Sequence, residues 1–317
     1  MLKLNLFSLI VKSRQFRLLL VLFVAIVASS SASLIIRAAQ QEASSVVIAT
    51  YRLMIATLVL LPLVYVRQRN VIFHMSKKQW LLGTLSGMLL GFHFLTWITS
   101  LEYTTVASST ILVSSMPVFV VLFSPVFLNE KASSIIYFGI GMSLLGGALI
   151  ALSDVCLIDG FSLRCSSLHG FVNKFALLGD ALAVMGALGG AGYFLIGRLM
   201  RSTLPLLSYI FVVYGMAAIT LLSIALILKL PLIGYDQKTY LYLILLAIVP
   251  QLIGHSSFNW SLKYLPVSYV TMVAIAEPVG ATILAWLFLD EIPTVLHFVG
   301  GLLCLVGVAY ASREVSR

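Results

Sequence analysis

Glu277 is the residue whose placement most needs a chemical reason. It stands about ten residues into an apolar run that begins at Val267. At ~1.5 Å of rise per helical residue, that is mid-bilayer depth if the run crosses a membrane. A carboxylate there is costly unless it pairs, takes up a proton or faces a water-filled cavity. Two functional readings follow: a proton carrier for coupled transport, or an anchor for a cationic group on a small ligand. Two structural readings stand beside them, a partner for Arg52 or a neutral buried acid. Arg52 lies about six residues into an earlier apolar run, so on depth alone the two can meet, and it can equally snorkel outward on its long stem.

Other polar and aromatic residues recur at helical spacing. His93 and Trp97 stand four apart and share a face, as do Gln251, His255 and Asn259. They are candidate cavity walls, with Tyr193, Trp260 and Trp286 as further aromatic surfaces, although a lone histidine in a helix bundle is often only hydrogen-bonded to its neighbours. Trp260, near the end of a run, also suits an interface anchor. Ser29, Ser30, Ser31 and Ser33 make the first run unusually hydroxylated. Pro117 and Pro278 each remove a backbone donor in mid-run and are expected to bend their helices. No close set of His, Cys or acidic residues has metal-ligand spacing, and no nucleophile and base or H-E-x-x-H signature is present. The sequence points to neither a metal, a cofactor nor an enzyme.

The elements that must position these residues are set by composition. The chain has 317 residues, 61% of them hydrophobic and only 10% charged, so most of it cannot face water. Ten apolar runs of about 17 to 23 residues each match the length a bilayer needs. They fall near 18–36, 46–66, 80–100, 106–128, 135–151, 179–196, 206–228, 241–260, 267–289 and 295–310. The net charge of +9 is spread over short clusters between the runs, which encodes membrane orientation and not a nucleic-acid surface. With the N-terminus inside, fourteen of the twenty Lys and Arg residues fall on cytoplasmic segments. The positive-inside rule therefore predicts a multi-pass protein of the cell membrane with both termini cytoplasmic. The first run is long enough to span and is read as a transmembrane helix, not a cleaved signal peptide.

The chain is also built twice. Ser100, Leu101, Tyr103, Pro117, Phe127, Glu130, Gly139 and Gly146 return 161 residues later as Ser261, Leu262, Tyr264, Pro278, Phe288, Glu291, Gly300 and Gly307, and Arg37 returns as Arg198. The expected fold is all-α and integral to the membrane, with ten transmembrane helices as two inverted five-helix repeats, 18–152 and 177–312, joined by an outer linker at 153–176. Five spans per copy turn the second copy upside down, the architecture of secondary transporters. The linker carries Cys156 and Cys165, which an oxidising compartment would let pair, or which remain free thiols. Gly83, Gly87 and Gly91, and Gly186 with Gly190, form small-residue faces that serve either static packing or sliding.

The pattern of Pro117, Asn129-Glu130, Gly139 and Gly146, repeated as Glu277-Pro278, Asp290-Glu291, Gly300 and Gly307, resembles the EamA domain of the drug/metabolite transporter superfamily. Gly179-Asp180, Tyr193 and Gly197-Arg198 are similar to the start of that family's second domain, and Arg52 matches its basic residue in span 2. The sequence departs from the family in having Met116 where the second copy has Glu277, and in lacking a proline before span 2. The resemblance implies a secondary transporter, exporter or exchanger of small organic metabolites such as amino acids or drugs, working by alternating access. The residues expected to bind substrate or couple transport are Glu277, His93, Trp97, His255, Asn259, Arg52 and Tyr193. Lipid and a small-molecule substrate are the expected partners, with protons as a candidate coupling ion and a homodimer left open. The alternative is a non-transporting scaffold or channel-like protein.

Overall fold

The computed structural model describes residues 2–104, 106–152, 156–159, 162–165, 174–289, 294–311 and 313. Asp290 and Glu291 lie outside these residues, as do the side chains of Cys156 and Cys165. Leucine, valine and alanine runs without helix-breaking clusters form the helices: α1 (Leu2–Ser30), α2 (Ala32–Ala39), α3 (Ser45–Arg67), α4 (Arg69–Phe73), α5 (Lys77–Tyr103), α6 (Val106–Val113), α7 (Met116–Phe127) and α8 (Ser134–Leu152). The second copy supplies α9 (Lys174–Arg201), α10 (Leu206–Ile227), α11 (Gln237–Leu246), a π-helical stretch at Ala247–His255, α12 (Ser256–Ser261), α13 (Val267–Ala274), α14 (Glu277–Leu289) and α15 (Val295–Ala311).

Among the described residues, eight helical segments are long and apolar enough to cross a bilayer, and two more, Ser134–Leu149 and Phe298–Ala311, are apolar but shorter. These two stand where the fifth and tenth spans are expected. Apolar side chains such as Ile227 (78% exposed) and Phe298 (66% exposed) crowd the outside of the bundle, a surface matched to lipid and not to water. The chain is a multi-pass membrane protein.

The spans are helical, as expected, and the segment between the copies also holds a short antiparallel hairpin of β1 (Cys156–Asp159) and β2 (Ser162–Cys165). The helix that follows, α9, begins at Lys174.

Helix contacts come in pairs related by the repeat. Packing of α5 along α9 is matched by the π-helical stretch along α1, and α7 against α9 by α14 against α1. The contacts of α3 with α10 and of α8 with α15 each join an element to its own counterpart. Close approach is built from glycine. A Cβ on Gly87 of α5 would stand 2.6 Å from Met216 Cβ and 2.7 Å from the Val213 carbonyl oxygen of α10, so only a residue without one lets these backbones meet.

The proline expectation takes a more specific form than a bend. The fourth span is split into α6 and α7, and the ninth into α13 and α14. Proline's ring clashes with the carbonyl four residues earlier. Those carbonyls belong to Val113 and Ala274, the last residues of α6 and α13. The two linking residues then turn through i−3 bonds, Ser115 N to Leu112 O at 3.2 Å and Ile275 N to Met272 O at 3.1 Å. Pro117 and Pro278 sit in the first turn of the helices that follow, where a missing donor costs nothing.

Candidate functional site

The breaks open onto a small cavity, whose empty space together with the open solvent at its mouth is about 550 Å³. It is lined by residues of both copies. The first contributes Ser29, Ala32, Arg52, His93, Trp97, Val113, Ser114, Met116 and Pro117, and the second Phe194, His255, Phe258, Thr271, Ala274, Ile275 and Glu277. Met116 and Glu277, one repeat apart, thus share one chamber, each at the first position of the helix after a break.

Arg52 is completely buried, and its position is fixed from two sides. Its Nε donates to Gln251 Oε1 at 2.8 Å, and its guanidinium carbon lies 4.0 Å above the ring of Phe94, a cation–π arrangement. Nη1 and Nη2 are buried without a hydrogen-bond partner. Arg52 and Glu277 line the same cavity without closing an ion pair. Glu277 is held through its backbone, whose carbonyl accepts from Ser30 Oγ at 2.9 Å, a hydroxyl that also reaches Ile26 O at 2.7 Å.

His93 Nδ1 lies 2.8 Å from the Gly186 carbonyl. A carbonyl only accepts, so Nδ1 carries the proton and Nε2 remains an acceptor. The His93 ring stacks on Trp97 at 5.9 Å between centroids and sits 6.4 Å from His255. Gly186 and Gly190 admit this arrangement: a Cβ on Gly190 would stand 3.0 Å from His93 Nδ1. His255 Nδ1 and Trp97 Nε1 are buried without partners.

The remaining expected residues lie elsewhere. Asn259 donates to the His255 carbonyl at 2.7 Å and to the Tyr193 hydroxyl. Both residues are fully buried and belong to a polar layer behind the wall, where Tyr209 meets Ser86 at 3.0 Å and Tyr214 meets Ser256 at 3.2 Å. Pro278 is buried beside Glu277 and does not line the cavity. Trp286 is 51% exposed on the lipid-facing surface, and Trp260 packs on Tyr264 with Arg17 at 5.4 Å, so neither is a cavity wall. Gln251, expected as a cavity wall from its four-residue spacing to His255, does not line the cavity and instead orients Arg52. Phe194, Phe258 and Thr271 carried no such signal, because apolar and hydroxyl residues in spans face lipid, helix or cavity alike. Among the described residues no group of three or more His, Cys, Asp or Glu side chains could hold a metal ion.

The profile of the EamA-like transporter family matches residues 16–152 and 177–313. The uncharacterized transporter YdfC of Bacillus subtilis is 23% identical over 236 residues, 72% of this chain and 70% of its own length. The pseudopaline exporter CntI of Pseudomonas aeruginosa is 23% identical over 269 residues, 84% of this chain and 85% of its own. A solved crystal structure, 19% identical in sequence, superposes with a TM-score of 0.73 over 94% of this chain and 98% of the other, which supports the fold.

Proposed function

Because the chain belongs to the EamA-like transporter family, we propose that it is a secondary transporter of small organic solutes, working by alternating access between two oppositely oriented repeats. The observation that carries this reading is the cavity between the copies, placed at two helix breaks exactly one repeat apart and holding Arg52 and Glu277. Broken helices at the interface of two repeats are the recurring form of transporter binding sites. A buried cation and acid that line one cavity without an ion pair suit a binding site better than a passive scaffold. The relative CntI is named an exporter, which favours export as the direction. The basic residues favour cytoplasmic termini.

In this reading Arg52, His93, Trp97 and His255 contact the substrate. Asn259 and Tyr193 stiffen the wall behind them, and Glu277 carries either a proton or the cationic group of the substrate. Glu277→Gln preserves shape while removing the ionisable proton. In proteoliposomes the variant is expected to lose transport by about tenfold or more. If Glu277 carries protons, dependence on the pH gradient disappears while substrate exchange persists; if it anchors a cation, affinity drops at every pH. A monodisperse variant that transports at the original rate refutes the assignment.

A further inference from the structure

We propose that the solute bound in this cavity carries a carboxylate, and that Arg52 is the residue that holds it. The proposal rests on the transport reading of the cavity and adds the chemistry of its cargo.

Arg52 is 0% exposed, and burying a guanidinium whose donors are left unbonded is costly. A protein that only needed to neutralise it would let it collapse onto the nearest acid. Here that collapse has not occurred: Arg52 and Glu277 share the cavity without an ion pair. The Gln251 bond takes Nε and the Phe94 ring takes one face of the guanidinium plane. What remains is the end-on edge formed by Nη1 and Nη2, both buried and both without a partner. Two parallel N–H donors on a rigid planar fork match the two oxygens of one carboxylate. Trp97 Nε1, another unpartnered donor in the lining, adds to the same imbalance. Gln251 Oε1 is taken by Arg52 Nε, and the other acceptors of the lining, the Glu277 carboxylate among them, leave Nη1 and Nη2 unbonded. A carboxylate on the ligand supplies the paired acceptor this edge lacks. A dianionic phosphate fits less well, since the lining offers a single cation and already contains Glu277.

The test pairs acids with their amides. Purified protein in detergent is titrated with phenylalanine, lysine, benzoate and succinate, and with the corresponding carboxamides, at neutral pH, and ligand-induced stabilisation is read from thermal unfolding. At least one acid is expected to bind about tenfold or more tightly than its amide, because the amide cannot accept at both guanidinium nitrogens. Arg52→Lys, which keeps the charge but loses the fork, is expected to erase that preference. The acid–amide comparison in the unmutated protein stands even if Arg52→Lys fails to fold. Equal binding of acids and amides, or no acid binding at all, overturns the proposal. Counterflow in proteoliposomes separates the two layers. Acids that bind but are never carried refute transport and leave the Arg52 site standing; acids and amides carried equally well refute the Arg52 site and leave transport standing.

Discussion

Arg52 and Glu277 line one chamber and do not pair, and the reason lies in what already holds the arginine. Nε is committed to Gln251 and the plane is laid on Phe94, so the guanidinium is oriented before any ligand arrives. Preorganisation of this kind lowers the entropy a bound solute must supply. The sequence made Glu277 and Arg52 legible, because charges inside apolar runs are rare and expensive. It did not reveal which face of each helix turns inward, which is why Asn259 and Tyr193, read as cavity walls, form the layer behind. Outside the membrane, Glu42 does a different job. Its Oε2 accepts from the Asp236 backbone N–H at 3.0 Å and from Thr239 Oγ1 at 2.8 Å, tying the turn after α2 to the start of α11. The backbone bond first, then the hydroxyl bond, hold its carboxyl below the ordinary value of 4.5. A depressed carboxyl contributes stability above the unfolded value and loses it as pH falls through the folded one. Acidification below 4.5 should therefore loosen this tie, and Glu42→Gln should show a shallower acid-side drop in melting temperature than the unmutated protein. Identical slopes would remove Glu42 from the acid response.

At the scale of elements, hydropathy located the spans and the 161-residue offset located the repeat, since both follow from periodic sequence. The breaks were harder to foresee. A proline can kink a helix or end it, and the outcome depends on whether neighbours satisfy the freed carbonyls. Here the chain stops at Val113 and Ala274 and restarts at Met116 and Glu277. The π-helical stretch at Ala247–His255 was not legible either. It contains Pro250 and packs against α1 and α3, and π-bulges arise where tertiary packing favours a different register of side chains. Glycine faces, by contrast, announce close approach. Gly87→Ala would press a Cβ against Val213 O at 2.7 Å, and backbone oxygen cannot rotate away. A loss of about 1–3 kcal/mol is expected from overpacking of this kind, read as a lower unfolding midpoint in detergent. An unchanged midpoint would mean that α5 and α10 separate freely.

For the whole molecule, the two copies must move against each other if alternating access operates, and a contact between them at one end should then report the state. Arg198 Nε donates to Glu130 Oε1 at 2.7 Å and Nη1 donates to the Leu262 carbonyl at 2.6 Å. Glu130 belongs to the first copy, Arg198 and Leu262 to the second, so the pair closes the copies together on the face proposed as cytoplasmic. Arg37, the counterpart of Arg198 one repeat earlier, is exposed. A contact that joins the copies at one end is one that a rocking bundle must break and remake. Both partners are about a quarter exposed, 24% and 26%, so the pair contributes about 0.2–1 kcal/mol after solvent screening. That is enough to shift a two-state balance about 1.4- to fivefold. In inside-out vesicles, Arg198→Gln should raise the labelling of a cysteine placed at Met116 by an impermeant thiol reagent in that proportion. The exchanged pair Glu130→Arg with Arg198→Glu should recover part of the protection, because it restores the charges but not the bond to Leu262. Labelling that is identical in the unmutated, single and exchanged proteins would show that this ion pair does not gate the cavity.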